Sequence, residues 1–228
     1  MAEDSDHVSL ADAYALETPD DNRRLYARWA PTYESEFVVD NRYVIPARVA
    51  EVFATVATDF RTDFPTGDPI LDVGCGTGLV GQSLAEMCPP ATVIDGVDIS
   101  AAMLAAAASK RRANGEPLYR SLTEADLTAA VPIADGTYAG FVSAGTFTHG
   151  HLGPEALCGL IRFGRVGALF AIGINAEHFQ ARGFALALRA EVAAGTITNV
   201  EPHIVSMYLP GSPHFGDTAV VAVFTRAG

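Results

Sequence analysis

The chain has 228 residues, 49% of them apolar and 18% charged, with a formal net charge of −12, which is enough to build one domain around a sizeable core. So acidic a chain, in which Lys110 is the only lysine, is a poor partner for a polyanion held through Lys and Arg, so nucleic acid is excluded as a substrate. No apolar run approaches the roughly eighteen residues of a membrane span, and the scattered Cys75, Cys88 and Cys158 have neither disulfide nor zinc-ligand spacing.

Residues 1–6 are acidic and lack the basic start and apolar core of a secretory signal, so a cytoplasmic location is expected. Residues 1–64 read as helices. Asp20, Asp21 and Asn22 cap a segment running from Arg23 towards Val38, and a second helix runs from Ile45 to about Phe60. Tyr26, Trp29 and Tyr33 share a helical face unless Pro31 breaks it. Asp68 and Pro69 mark the entry to the first strand. From there, strands at 69–73, 91–98, 117–121, 137–143 and 166–174 accompany helices at 79–87, 100–113, 154–163 and 176–194. This is the pattern of a parallel α/β sheet with helices on both faces. Lys110, Arg111 and Arg112 read as a solvated helix end that complements the dipole. The last two strands, 203–209 and 218–225, have no helix between them and are therefore expected to be antiparallel.

Two stretches carry the chemistry. Asp72-Val73-Gly74-Cys75-Gly76-Thr77-Gly78 joins the first strand to its helix, and Val97-Asp98-Ile99-Ser100 ends the second strand. Alternate glycines allow a sharp turn with positive φ and the close approach of a ligand. The helix start offers unpaired N–H groups, and Asp98 is placed to accept two hydrogen bonds from a ribose diol. Cys75 fills a slot that takes a small side chain. Gly76 to Gly81 also fits the dinucleotide pattern G-x-G-x-x-G, which alone is a weak signal.

Together with Met103-Leu104, these stretches resemble motif I and the following acidic motif of class I S-adenosylmethionine-dependent methyltransferases. The similarity extends from Leu25-Tyr26-Ala27-Arg28-Trp29-Ala30-Pro31-Thr32-Tyr33 to about Asn175. Within that superfamily the chain resembles the small-molecule group around the Williams–Beuren-region methyltransferase-like proteins. The resemblance implies a Rossmann-like, seven-stranded, mostly parallel sheet with a C-terminal antiparallel hairpin. It also implies a helical lid over residues 1–64 and a methyltransferase domain over 65–228, together one globular unit. The expected cofactor is S-adenosylmethionine and the expected acceptor a small molecule, with no metal, no membrane or nucleic-acid partner, and a monomer or homodimer as the assembly.

By the same resemblance, Asp72, Gly74, Gly76 and Gly78 line the methionine end of the cofactor, with Cys75 and Leu79 beside them. Asp98, Ile99 and Met103 take the ribose and adenine. Asp126, next to Leu127, accepts from the adenine amino group, and Ser143 and Ala144 touch the cofactor where the fourth strand ends. The aromatic residues Tyr26, Trp29, Tyr33 and Tyr43 belong to the lid. His149 or His151 is the candidate base for an acceptor hydroxyl or thiol, because imidazole titrates near working pH. Two alternatives remain at this point: an NAD(P)-dependent oxidoreductase and a non-catalytic, S-adenosylmethionine-binding regulatory protein. An acid at Asp72 faces an amine-bearing cation better than a pyrophosphate. A Tyr-x-x-x-Lys dehydrogenase pair is ruled out by the position of Lys110.

Overall fold

Along Pro69–Val73 (β1), Ile70 belongs to one apolar cluster while Leu71 and Val73 belong to another. This is the two-residue alternation of a strand covered on both faces. The computed structural model describes residues 8–59 and 68–228. The other strands are Val93–Asp98 (β2), Ser121–Glu124 (β3), Tyr138–Phe147 (β4), Gly164–Asn175 (β5), Glu201–Ser206 (β6) and Thr218–Thr225 (β7). They form one seven-stranded sheet in the order β3-β2-β1-β4-β5-β7-β6. β1 to β5 run parallel, and β7 lies antiparallel to both β5 and β6. The sheet is thus the mostly parallel, Rossmann-like one with the antiparallel ending expected. Its order reverses between β1 and β4, which opens a crevice at the carboxyl ends of those strands.

The helices are Leu10–Tyr14 (α1), Pro19–Trp29 (α2), Ile45–Asp59 (α3), Leu79–Met87 (α4), Ala101–Ser109 (α5), Pro154–Leu160 (α6), Ala176–Ala181 (α7) and Phe184–Ala194 (α8). Val49 and Phe53 of α3, Leu84 of α4 and Ala107 of α5 close one face of the sheet, while Leu157 of α6 and Phe184 and Leu188 of α8 close the other. Phe141, Phe170 and Phe224 stack across three adjacent strands on that second face, with centroids 4.2 and 4.7 Å apart. Among the described residues, no helix is long and apolar enough to cross a membrane.

Several elements depart from the sequence expectation. The segment expected from Arg23 to Val38 is capped earlier and broken in the middle. Thr18 caps α2 reciprocally with Asp21, so Asp20 to Asn22 lie inside the helix. At the other end, Pro31 carries no N–H to continue the helix; α2 ends at Trp29 and the chain resumes as a π-helical turn, Tyr33–Val38. The third strand begins four residues later than the expected start at 117. Residues 118–120 fold back instead: the Leu118 N–H bonds the Lys110 carbonyl and the Arg120 N–H bonds that of Ile94. The expected helix 176–194 breaks between α7 and α8 at Gly183, where φ is +73°.

The basic cluster is only in part the solvated helix end expected: Arg111 is exposed and donates to the Ala108 and Lys110 carbonyls, whereas its neighbours are engaged elsewhere. Lys110 pairs with Glu34 of the π-helical turn at 2.9 Å, and Arg112 donates to the carbonyls of Thr92 and Leu118. The expected boundary between 64 and 65 falls outside the described residues, and Leu25, Trp29 and Phe37 share one apolar cluster with Val49 and Ile70.

Candidate functional site

The crevice is built on the turn that follows β1. Gly74 has a φ of +62°, and a Cβ there would lie 2.0 Å from the Thr146 hydroxyl oxygen; Gly76 has a φ of +53° and opens onto free space. Asp98, at the end of β2, holds this turn from the side. Its Oδ2 accepts the Gly76 N–H and its Oδ1 accepts the Ser100 N–H, both at 2.8 Å. Burial raises the Asp98 pKa above the usual carboxylate value, and the backbone N–H bonds act against that rise.

The resulting cleft has a volume of about 220 Å³. Its floor is Gly74 to Thr77 and Leu79, its sides Asp98, Ile99 and Met103 on one flank and Ala144 to Thr146 with Gly150 to Leu152 on the other. Ala125 to Thr128 close one end, and the N-terminal segment roofs it with Glu17 to Pro19, Asn22, Tyr26, Tyr33 and Tyr43. Three carboxylates, Glu17, Asp98 and Asp126, line the cleft, and among the described residues no lysine or arginine does. The Thr77 hydroxyl is buried there with no partner among them. Asp126 is steadied by Thr128, whose N–H and hydroxyl donate to it at 2.8 and 2.6 Å, and it lies 3.8 Å from Arg23 of α2.

Of the residues singled out from the sequence, Tyr26, Tyr33, Gly74, Cys75, Gly76, Leu79, Asp98, Ile99, Met103, Asp126, Leu127, Ala144 and His151 all meet in this cleft. Five do not. Asp72 is fully buried beneath the turn. Its Oδ2 accepts from the Tyr119 hydroxyl at 2.7 Å and from the Gly81 N–H at 3.1 Å, and burial pushes its pKa up to about 7. It anchors α4 and faces no ligand space. Gly78 packs under Tyr119 and Lys110. The Ser143 hydroxyl donates to the Val73 carbonyl at 2.7 Å and is spent there. Trp29 is 2% exposed and turns into a smaller neighbouring cavity. His149 lies outside the cleft against Tyr14 and His178.

His151 is the histidine that the cleft contains. Its Nδ1 sits 2.7 Å from the His149 carbonyl, which can only accept, so Nδ1 carries the proton. Nε2 therefore offers its lone pair, and the Tyr26 hydroxyl donates to it at 2.8 Å. Burial lowers the His151 pKa, leaving the ring neutral near pH 7. Sequence reasoning missed Glu17, Thr18 and Asn22 on the roof. The readable signal for them was the capping box formed by Thr18 and Asp21, which fixes where α2 begins. Thr146 was missed as well, and it is found only once β4 runs on to Phe147. Among the described residues no His, Cys, Asp or Glu cluster is fit to hold a metal ion.

Residues 70–163 match a family model described as a methyltransferase domain. No curated protein matches the chain in sequence. Among solved structures, the fold is similar to the (4+2)-cyclase SpnF, at 17% identity and a TM-score of 0.66 over 93% of this chain and 98% of that one. It is similar to the magnesium protoporphyrin IX methyltransferase of Synechocystis with bound S-adenosylmethionine, at 15% identity and 0.63 over 93% and 99%. A third is a TehB-like S-adenosylmethionine-dependent methyltransferase from Corynebacterium glutamicum, at 22% identity and 0.50 over 92% and 100%. At such identities the likeness is one of fold, and a fold hosts more than one chemistry.

Proposed function

We propose, for a chain that carries a methyltransferase domain over residues 70–163 on the class I methyltransferase fold, that it moves a methyl group from S-adenosylmethionine to a small-molecule acceptor. The observation that carries this reading is the charge of the cleft. Among the described residues, Glu17, Asp98 and Asp126 face it without a lysine or arginine, which suits a ligand bearing an ammonium and a sulfonium. A dinucleotide would bring two phosphates to the same carboxylates. The rings of Tyr26, Tyr33 and Tyr43 add faces that attract a cation. Gly74, Gly76 and the unpartnered Thr77 hydroxyl would hold the methionine end, Asp98 and Met103 the ribose and adenine, and Asp126 the adenine amino group.

When bound, S-adenosylmethionine supplies an electrophilic methyl group and a neutral sulfide leaving group. The chain supplies position, exclusion of water by the N-terminal roof, and a proton acceptor. An acceptor hydroxyl beside Tyr26 passes its proton to the tyrosine oxygen as the tyrosine proton moves to His151 Nε2. The acceptor oxygen so deprotonated would be the nucleophile toward the methyl group that the cofactor supplies, and the proton remains on the imidazole.

Calorimetry tests the binding half. S-adenosylhomocysteine should bind and NADH should not, and Asp98→Ala should weaken the former by roughly tenfold or more through loss of charge-assisted bonds. Absence of heat with S-adenosylhomocysteine, or comparable affinity for NADH, would reject the reading. For the chemical half, with an acceptor in hand, His151→Ala should lower turnover by about 10²–10⁴-fold with cofactor affinity retained. Because burial lowers the His151 pKa, the acid limb of the wild-type turnover profile should have its midpoint below the ordinary imidazole value of about 6.5. Unchanged turnover in the variant removes His151 from the mechanism. Binding without any release of S-adenosylhomocysteine would point to a regulatory protein instead.

A further inference from the structure

We infer that the small cavity beside the cleft seats the methyl acceptor, and that the acceptor is a neutral, flat, mostly apolar molecule presenting an oxygen. The inference rests on the reading of the main cleft as the cofactor site. The cavity, of about 40 Å³, lies between α1, α2 and the chain around Met207 and Tyr208, and shares Tyr26, Tyr33, Tyr43, Gly145 and His151 with the cleft. The two spaces therefore meet at the Tyr26–His151 hydrogen bond.

Its lining differs in kind from that of the cleft. Among the described residues no Asp, Glu, Lys or Arg borders it, and burial lowers the His151 pKa. A charged ligand would lose its hydration there and gain no counter-ion. Three polar atoms nevertheless wait in its walls, the Thr148 hydroxyl and two on larger rings. Trp29 Nε1 and the Tyr208 hydroxyl are buried, on side chains 2% and 1% exposed, and like it have no partner among the described residues.

Both are held by packing and not by polar bonds. Trp29 sits among Tyr26, Tyr33 and Phe37, and Tyr208 between Tyr43 and His214. An indole N–H only donates, so its missing partner is an acceptor such as a hydroxyl or carbonyl oxygen, and a phenol hydroxyl can serve either way. The space is much smaller than the neighbouring cleft of about 220 Å³. It therefore takes the oxygen-bearing edge of an acceptor whose body lies along the shared aromatic wall.

The test uses the full chain saturated with S-adenosylhomocysteine, whose affinity is measured first in every variant. Phenol, toluene, benzoate and benzylammonium are then titrated into the wild type, Trp29→Phe and Tyr208→Phe. Phenol should bind at least about tenfold tighter than either charged probe. Each variant should weaken phenol by about three- to tenfold, the share of one hydrogen bond, while toluene, which has no oxygen, loses nothing in Tyr208→Phe. Equal or tighter binding of a charged probe overturns the inference, as does undetectable phenol binding. Wild-type phenol affinity in both variants overturns it too, and is what a void filled by ordered water predicts. Loss of S-adenosylhomocysteine binding in the wild type would instead remove the cofactor reading on which the inference stands.

Discussion

Asp72 sits below the glycine turn with one oxygen holding the Tyr119 hydroxyl and the Gly81 N–H, and the other holding nothing. Its carboxyl keeps a proton up to about pH 7 when folded, whereas an unfolded aspartate releases it near 3.9. The folded state thus binds more protons across that interval, and its stability falls as pH rises through it, then levels off above the folded value. In ligand-free protein, Asp72→Asn lacks this slope. Relative to the wild type, it should gain unfolding free energy between pH 5 and pH 8 in urea titrations; parallel profiles would reject this assignment. The residue also marks a limit of legibility. The turn is readable from its alternate glycines and Asp98 from its place at the end of β2, where Gly76 and Ser100 offer it backbone N–H groups. The direction of Asp72 is not, because it depends on Tyr119, which lies 47 residues further along the chain.

At the scale of elements, the roof depends on how closely α1 approaches the loop after β4. Gly150 has a φ of +72°, and a Cβ there would lie 2.7 Å from the Ala13 carbonyl oxygen and 3.1 Å from the Leu16 nitrogen. Gly150→Ala adds a left-handed conformational penalty of about 1–2 kcal/mol and pushes α1 away. Denaturant melts should show that loss, and limited proteolysis should cut between residues 9 and 17 sooner than in the wild type. Resistance equal to the wild type would mean that the contact is not structural. The break in the roof was readable from Pro31. α1 was not, since five residues are too few for a periodic pattern. β3 was misplaced for a related reason: it is a half-exposed edge of four residues, with no apolar run to set its register.

For the whole molecule, the N-terminal helices and the sheet share one apolar cluster while the cleft lies between them. Binding there should therefore stabilise the chain as one unit. S-adenosylhomocysteine at a hundredfold its Kd adds about 2.7 kcal/mol, which for a chain of this size raises Tm by roughly 5–10 °C. NADH should leave Tm unchanged. A single transition in calorimetry is expected, and two would separate residues 1–64 as a domain of their own. The parallel sheet and its antiparallel ending were legible because buried parallel strands read as apolar runs and the last two strands have no helix between them. The roof's closeness to the cleft was not, since it arises from contacts between distant segments such as Arg23 with Asp126.

One of those distant contacts turns the sequence into an instrument. Lys110 carries the only side-chain amine in the chain, and its Nζ is tied to Glu34 on the roof and to Gln82 on α4, at 2.9 and 3.1 Å. An amine-directed acylating reagent therefore has a single internal target, placed at the latch itself. The rate at which that one position is acylated would report any opening of the roof, with no mutation and no probe added in advance.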